Sequence, residues 1–562
     1  MFRSPRTLQG RFRAPLVLAS LVALLALGVF VAGCGGSSDD SESTGGETGQ
    51  EAQAADPQVS SAEVPEVTLA MSGQEISLNL LSAPTVPTAS LMANVVQGLV
   101  AYEPDGTLTE GLAESWEEVS PTEYVYTLKE GARFSTGAPV TIDDVVYSLN
   151  YEKDPETGVV SSSFFLTVQS IEKMGANKVK VTLNKPDPTW RYVPAHYPAW
   201  IYERKALEAA GENFGGPQGI PIGSGPYAIS EMNEDHITFV RNEFYDGPKP
   251  PVAKFVVRLV ADPGTSLAAM QSGDIDGAIY VPLQSVNQWE DVENVDIFST
   301  ISPNEDQIWI NTEKAPFDDP HVRRALVYAF DRQSVAESVF HGRAVVYPTQ
   351  VAPDMWANEM SPEEAEARTS DQGPEYPFDM GKAEEEMAAS KHKDGFSAEI
   401  TYPSSAPELG LALQALAQSV KELDINLEVK ELNDTPFYGK LFEGEYDLAA
   451  STGSFDYPDP LGFYYVVLCG CTIPPAGFNA SRYSNPQLDS LFDKAYADTN
   501  QESRLDTILE AVSLITEEQP MPILWYREVV TALNSELAIT DLGPWAYFDT
   551  AWMTKVGKRG GE

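Results

Sequence analysis

Few residues in this chain have the type and spacing to act as nucleophile, base or metal ligand. The five histidines are His196, His236, His321, His341 and His392. No two of them form the pair four apart that a helical zinc-protease site needs, so each is expected to be packed or at the surface. Gly223-Ser224-Gly225 has part of a strained serine elbow, but Ile222 stands where that turn needs glycine. Ser272 to Leu283 carries Asp274, Asp276 and Gly277 in the manner of a calcium loop, yet its twelfth position is leucine rather than glutamate. The acidic pairs Asp143-Asp144 and Asp318-Asp319 read as helix starts, where carboxylates favour the positive end of the helix dipole. Cys469-Gly470-Cys471 leaves two states open. Thiols in an oxidising compartment pair, but one intervening residue makes a tight ring. These residues assign no catalytic set, no metal site and no cofactor, and the expectation is a binding protein rather than an enzyme.

Aromatic side chains are the richer resource. Trp190, Tyr192, Tyr197, Trp200 and Tyr202 cluster in one stretch, and Phe455, Tyr457, Phe463, Tyr464, Tyr465, Trp525 and Tyr526 follow later. Most are expected in the core, and the excess beside Gly and Pro loops suits a cleft that encloses a ligand. With 562 residues and 43% hydrophobic composition the chain can bury several cores. A net charge of −46 repels phosphate backbones, which argues against nucleic-acid binding.

Residues 1–33 form a separate object. Arg3, Arg6, Arg11 and Arg13 give a cationic start, and Leu16 to Ala32 is an uncharged, mostly apolar run. It ends Val31-Ala32-Gly33-Cys34, the small residues before a cysteine that lipoprotein processing requires. Cys34 is therefore read as the lipidated mature N-terminus, and residues 34–66 as an acidic, Gly- and Ser-rich tether. The expected location is the outer face of the cytoplasmic membrane, in the cell envelope or periplasm, anchored by lipid.

From Val67 onward strand and helix signals alternate. Phe255 to Val260 reads as a strand, Asp262-Pro263 as a cap and first turn, Gly273 as a stop, and Ala278 to Tyr280 as the next strand. A second unit runs from a strand at Ala398 to Tyr402, through a helix with Leu409, Leu413, Leu416, Val420 and Leu423 on one face, to a strand from Ile425. Thr141 with Asp144 forms a capping box. Strand–helix–strand units imply parallel sheet and an α/β fold of several lobes.

Against this background residues 97–147 become specific. They read Gly98-Leu99-Val100-Ala101-Tyr102-Glu103-Pro104-Asp105-Gly106, then Gly111-Leu112-Ala113-Glu114-Ser115-Trp116, then Arg133-Phe134-Ser135-Thr136-Gly137-Ala138-Pro139-Val140 up to Asp143-Asp144-Val145. This closely resembles the hallmark region of the family 5 extracellular solute-binding proteins, the dipeptide- and oligopeptide-binding group of ABC importers. Gly223-Ser224-Gly225-Pro226-Tyr227, Ser272-Gly273-Asp274, Asn311 to Asp319 and Gln519-Pro520-Met521-Pro522 are similar to further family motifs, so the resemblance spans about 67–555.

The resemblance implies a periplasmic-binding-protein-like fold: two α/β lobes joined by a hinge, plus an extra small lobe. Lobe I is expected at 67–100, 221–305 and 520–562, lobe II at 101–220 and lobe III at 306–519, with two chain crossings near 305 and 520. It also implies that Asp456, after a strand read at Tyr446 to Ser451, binds a peptide's α-ammonium. Phe455, Tyr457 and Val86 would line the cleft, and the backbone of Thr452 and Ser454 would bond the ligand main chain as an added strand. Asp459 matches the family's acidic position before a proline. Asp456 as a simple turn residue is the competing reading. No arginine or lysine is recognisable as a carboxylate partner, so an oligosaccharide stacked on aromatics stands as the alternative ligand. The implied partners are a peptide or other small molecule and an ABC permease, and the exported body is expected to be a monomer. A secreted hydrolase and a purely structural envelope lipoprotein are the readings from other classes.

Overall fold

The computed structural model describes residues 58–72, 77–82, 85–370, 375–475 and 477–560. The leader, Cys34 and most of the expected tether lie outside the described residues. Residues 59–66, read above as the end of that tether, are held against the body. Val59 bridges Arg559 and Val64 bridges Val252, while Glu63 pairs with Arg241 and Lys249.

The local signals correspond to elements with identifiable causes. Asp262 caps helix Pro263–Ser272 through Thr265 N, proline takes the first turn, and Gly273 ends it in the left-handed region. Thr141 and Asp144 cap helix Ile142–Lys153 reciprocally. Asp319 caps helix Pro320–Tyr328, which buries Val322, Ala325 and Leu326. Leu409, Leu413 and Leu416 face inward from helix Pro407–Ser419, and Val420 and Leu423 continue inward from a short 3₁₀ turn. Asp276 is a structural tie rather than a calcium ligand: its carboxylate accepts from Thr68 N and Asn534 Nδ2.

These pieces assemble into one 11-stranded mixed sheet. Along its path lie Ile425–Leu432, Phe396–Pro403, Leu448–Ser454, Val295–Ile310, Ile523–Asn534, Gly277–Ile279, Val67–Ser72, Lys254–Val260, His236–Arg241 and Tyr227–Met232. The short strand Ala344–Val345 also pairs with Ile523–Asn534. The two central strands are the longest, with 16 and 12 residues. They pair antiparallel, and their register shifts between Ile301 and Glu305 and again at Asp306. Pro303 lies in that irregularity, where its missing N–H costs no ladder bond. Strands of 396–454 flank the central pair on one side and strands of 67–279 on the other.

Residues 113–183 build a separate four-stranded antiparallel sheet. In its strand Lys178–Leu183, Val179, Val181 and Leu183 point inward between more exposed neighbours, the period-two pattern of a one-sided sheet. Its core includes Phe134, Leu149 and Trp190 and reaches Tyr457 of the other part.

Candidate ligand-binding site

The strand expected at Tyr446 to Ser451 runs instead from Leu448 to Ser454. It gains residues at its C-terminal end because Ser451–Ser454 pair with Asn304–Gln307 of the long central strand. On its other edge the strand Phe396–Pro403 reaches only Leu448 and Ala449. The backbone beyond, through Thr452 and Ser454, has no strand partner on that edge among the described residues.

Asp456 follows two residues after this strand and is fixed from both sides. Phe455 donates its N–H to Pro303 O at 3.0 Å, and its ring is fully buried, stacked on Phe463 with centroids 4.1 Å apart. Tyr457 is buried and stacks on Tyr192 at 5.5 Å and 8°. Asp459 caps helix Pro460–Leu468 through Leu461 N and pairs with Arg504, which also holds Glu359. Phe455, Tyr457 and Asp459 are thus consumed by packing, whereas Asp456 keeps 47% of its side chain accessible. Burial is the main cause that pushes its carboxyl above the usual range. His196 opposes that shift and Asp549 reinforces it.

The neighbourhood is rich in carboxylates that the sequence does not reveal as one group. Glu305 has no accessible surface, and neither of its oxygens has a hydrogen-bond partner among the described residues. Burial drives its carboxyl well up, Asp306 and Asp456 add to it, and Arg527 opposes it. A Cβ at Gly453 would lie 2.2 Å from Glu305 Oε1, so glycine leaves the room that this carboxylate occupies. Asp306 accepts from Thr452 Oγ1 at 2.7 Å and from Trp525 Nε1 at 2.6 Å. Arg527 is a cation beside Glu305 and Asp306, and it is engaged. It reaches Glu408 at 2.5 Å and Asp306 at 3.3 Å, and donates to Thr452 Oγ1 at 2.6 Å. The side chain of Thr452 therefore serves this network, leaving only its backbone for a ligand. The Ser454 hydroxyl donates to Phe455 O at 3.3 Å.

Val86 begins helix Val86–Met92, capped by Thr85. Though remote in sequence, it packs on the apolar cluster that holds Phe455 and Tyr526. Cys469 and Cys471 are joined as a disulfide, with Cα atoms 5.1 Å apart, just after helix Pro460–Leu468. The aromatic stretch 190–202 is packed: Trp190, Tyr192, Trp200 and Tyr202 are all buried.

Sequence reasoning missed His196, Asp549, Glu305 and Arg527. His196 was expected to be packed or at the surface; it is fully buried, and its Nε2 lies 3.9 Å from Asp456 Oδ1. No local signal marks these residues as a group, because they come from separate segments of the chain.

A mixed sheet whose two longest strands run between flanking parallel units, with an acidic site at a strand's carboxyl end, defines an α/β binding protein. Residues 107–472 match the bacterial extracellular solute-binding proteins, family 5, and the chain belongs to that family. Its relatives include heme-binding protein A of Haemophilus influenzae, 25% identical over 453 residues, which covers 76% of this chain and 80% of that protein. Glutathione-binding protein GsiB of Escherichia coli is 25% identical over 504 residues, covering 87% and 93%. Among solved structures, the ABC transporter-associated periplasmic binding protein DppA of Helicobacter pylori, in complex with peptide STSA, has the same fold. Its TM-score is 0.73 at 20% identity, covering 89% of this chain and 99% of that one. The family consists of solute receptors of ABC importers that work outside the cytoplasm.

Proposed function

We propose that this protein captures peptides with a free N-terminus and delivers them to an ABC permease. The observation that carries this reading is Asp456: a carboxylate with open surface, next to a strand edge without a strand partner among the described residues, in a site where Arg527 is already paired with Asp306 and Glu408 and Arg504 with Asp459 and Glu359. A cationic ligand group gains a charge-assisted bond there, and the strand edge can hold a main chain as an added strand. The aromatic side chains being largely packed leaves the oligosaccharide reading with little to stand on. The lobes I–III given above would be the moving bodies, and the paired strands Val295–Ile310 and Ile523–Asn534 the hinge between them. Lipidation at Cys34 would hold the receptor at the membrane's outer face.

Calorimetry on a four-way cycle tests the ligand reading. Asp456→Asn removes the charge but keeps the shape, and a desolvated ammonium left without its counter-ion loses about 2–5 kcal/mol, roughly thirtyfold or more in affinity. N-acetylating the peptide should cost as much, and the two losses should not add. Additive losses, or none at Asp456, would leave Asp456 as a turn residue.

A further inference from the structure

His196 has an arrangement that its packing does not account for. The ring is fully buried and held on several sides: Phe164 edge-on at 5.2 Å, Tyr197 edge-on at 4.4 Å, and Phe548 nearly parallel at 5.7 Å. Its Nδ1 lies against Asp549 Oδ2, and Asp549 is itself buried. Its Nε2 has no hydrogen-bond partner among the described residues, although such nitrogens are normally paired when buried. That unpartnered atom is 3.9 Å from Asp456 Oδ1, on the one carboxylate here described as accessible.

Asp549 sets the chemistry of that nitrogen. A carboxylate accepts from Nδ1–H, so whenever the ring is neutral, as it must be to face a ligand's ammonium, it presents a lone pair at Nε2; only the protonated ring acts on Asp456 as a cation. Two acceptors 3.9 Å apart cannot bond each other. One nitrogen about 2.8 Å from both would make two bonds diverging by about 90°, a span that the N–H groups of a single ammonium can reach.

We propose that His196 is a second ligand contact, whose Nε2 accepts one N–H of the same primary ammonium that Asp456 neutralises. Asp549 is the positioning residue that fixes the tautomer. Asp456 supplies the charge preference, and His196 adds a count of hydrogens. The site then prefers a primary ammonium over a dimethylated one of equal charge. This inference rests on the free-amine reading of Asp456.

The test uses tetra-alanine and its N,N-dimethyl and N-acetyl forms, with dissociation constants measured by calorimetry at one pH. Dimethylation keeps the positive charge and leaves a single N–H. Wild type should bind tetra-alanine about tenfold or more tighter than the dimethyl form, the usual size of one hydrogen bond to a charged donor. His196→Asn keeps a donor for Asp549 at the δ position and has nothing at the ε position. It should weaken tetra-alanine about tenfold and remove most of the discrimination between the two peptides. His196→Phe should behave alike, and thermal melting identifies which variants are folded. Asp549→Asn should reduce the discrimination less than either. If both folded variants weaken the two peptides by one common factor, or if wild type ignores dimethylation, His196 is only a packed residue and the proposal is overturned. If tetra-alanine does not bind, or the N-acetyl form binds equally well, the free-amine reading fails and takes this inference with it. That outcome is distinct from one in which the amine matters and His196 does not.

Discussion

Glu152 provides a measurable consequence of burying an acid. It lies near the end of helix Ile142–Lys153, only 3% exposed, and accepts from Ser161 Oγ at 2.6 Å. Burial pushes its carboxyl up to about 8 from an ordinary 4.5, with the Ser161 bond pulling the other way. The folded state therefore holds a proton that the unfolded chain has released between those values. The associated stability is present at low pH and is lost as pH rises toward 8. At 1.36 kcal/mol per unit, the burden on folding is about 1 kcal/mol at pH 5, about 3 at pH 7, and about 5 above pH 8. Glu152→Gln keeps an acceptor for Ser161 and cannot ionise. It should be more stable than wild type by about 3 kcal/mol at pH 7 and about 1 at pH 5. Urea unfolding of both proteins at pH 5, 6, 7 and 8 reads this directly, because every other titrating group is common to the pair. A gain that is constant with pH, or a loss at pH 7, would refute the argument that the buried charge is the cause.

Three further outcomes are expected. Gly453→Ala places a methyl 2.2 Å from Glu305 Oε1 and 2.8 Å from Gln307 Oε1. It should cost about 1–3 kcal/mol in thermal unfolding, as overpacking does elsewhere. Asn358 donates to Gly106 O at 2.7 Å and accepts from Leu108 N at 3.1 Å. Asn358→Ala removes two bonds between the expected lobes II and III, worth about 1–2 kcal/mol together. Small-angle scattering should then show a smaller compaction on adding peptide than in wild type, and equal compaction would deny Asn358 a part in closure. Cys34→Ala should leave the protein as unprocessed precursor or release it from the membrane fraction. Lipid-modified protein in that variant would rule out anchoring through Cys34.

Much of the local structure was legible in the residues. Asp262-Pro263 with Gly273, Thr141 with Asp144, and the leucine face of 409–423 each state a helix through contacts a few positions apart. That a strand precedes Asp456 was legible too, in the short stretch before it. The strand before it was placed early at Tyr446 and stopped early at Ser451, because its last residues are strand only by virtue of pairing with Asn304 to Gln307. The end of the tether was likewise read as free, although Val59 and Val64 find partners at Arg559 and Val252 that no local pattern announces.

What the sequence by itself determined about this protein is therefore what neighbours in the chain decide: caps, helix faces, strand alternation and the residue types available for chemistry. Tertiary structure alone decided which of those residues meet. It brought His196, Asp456 and Asp549 together from three distant segments. It buried Glu305 under Gly453 and neutralised Arg527 with Asp306 and Glu408. The physical reason is range. Hydrogen bonds within a turn depend on a few dihedral angles, whereas the field at a carboxylate depends on every charge and every excluded water around it, wherever the chain supplied them.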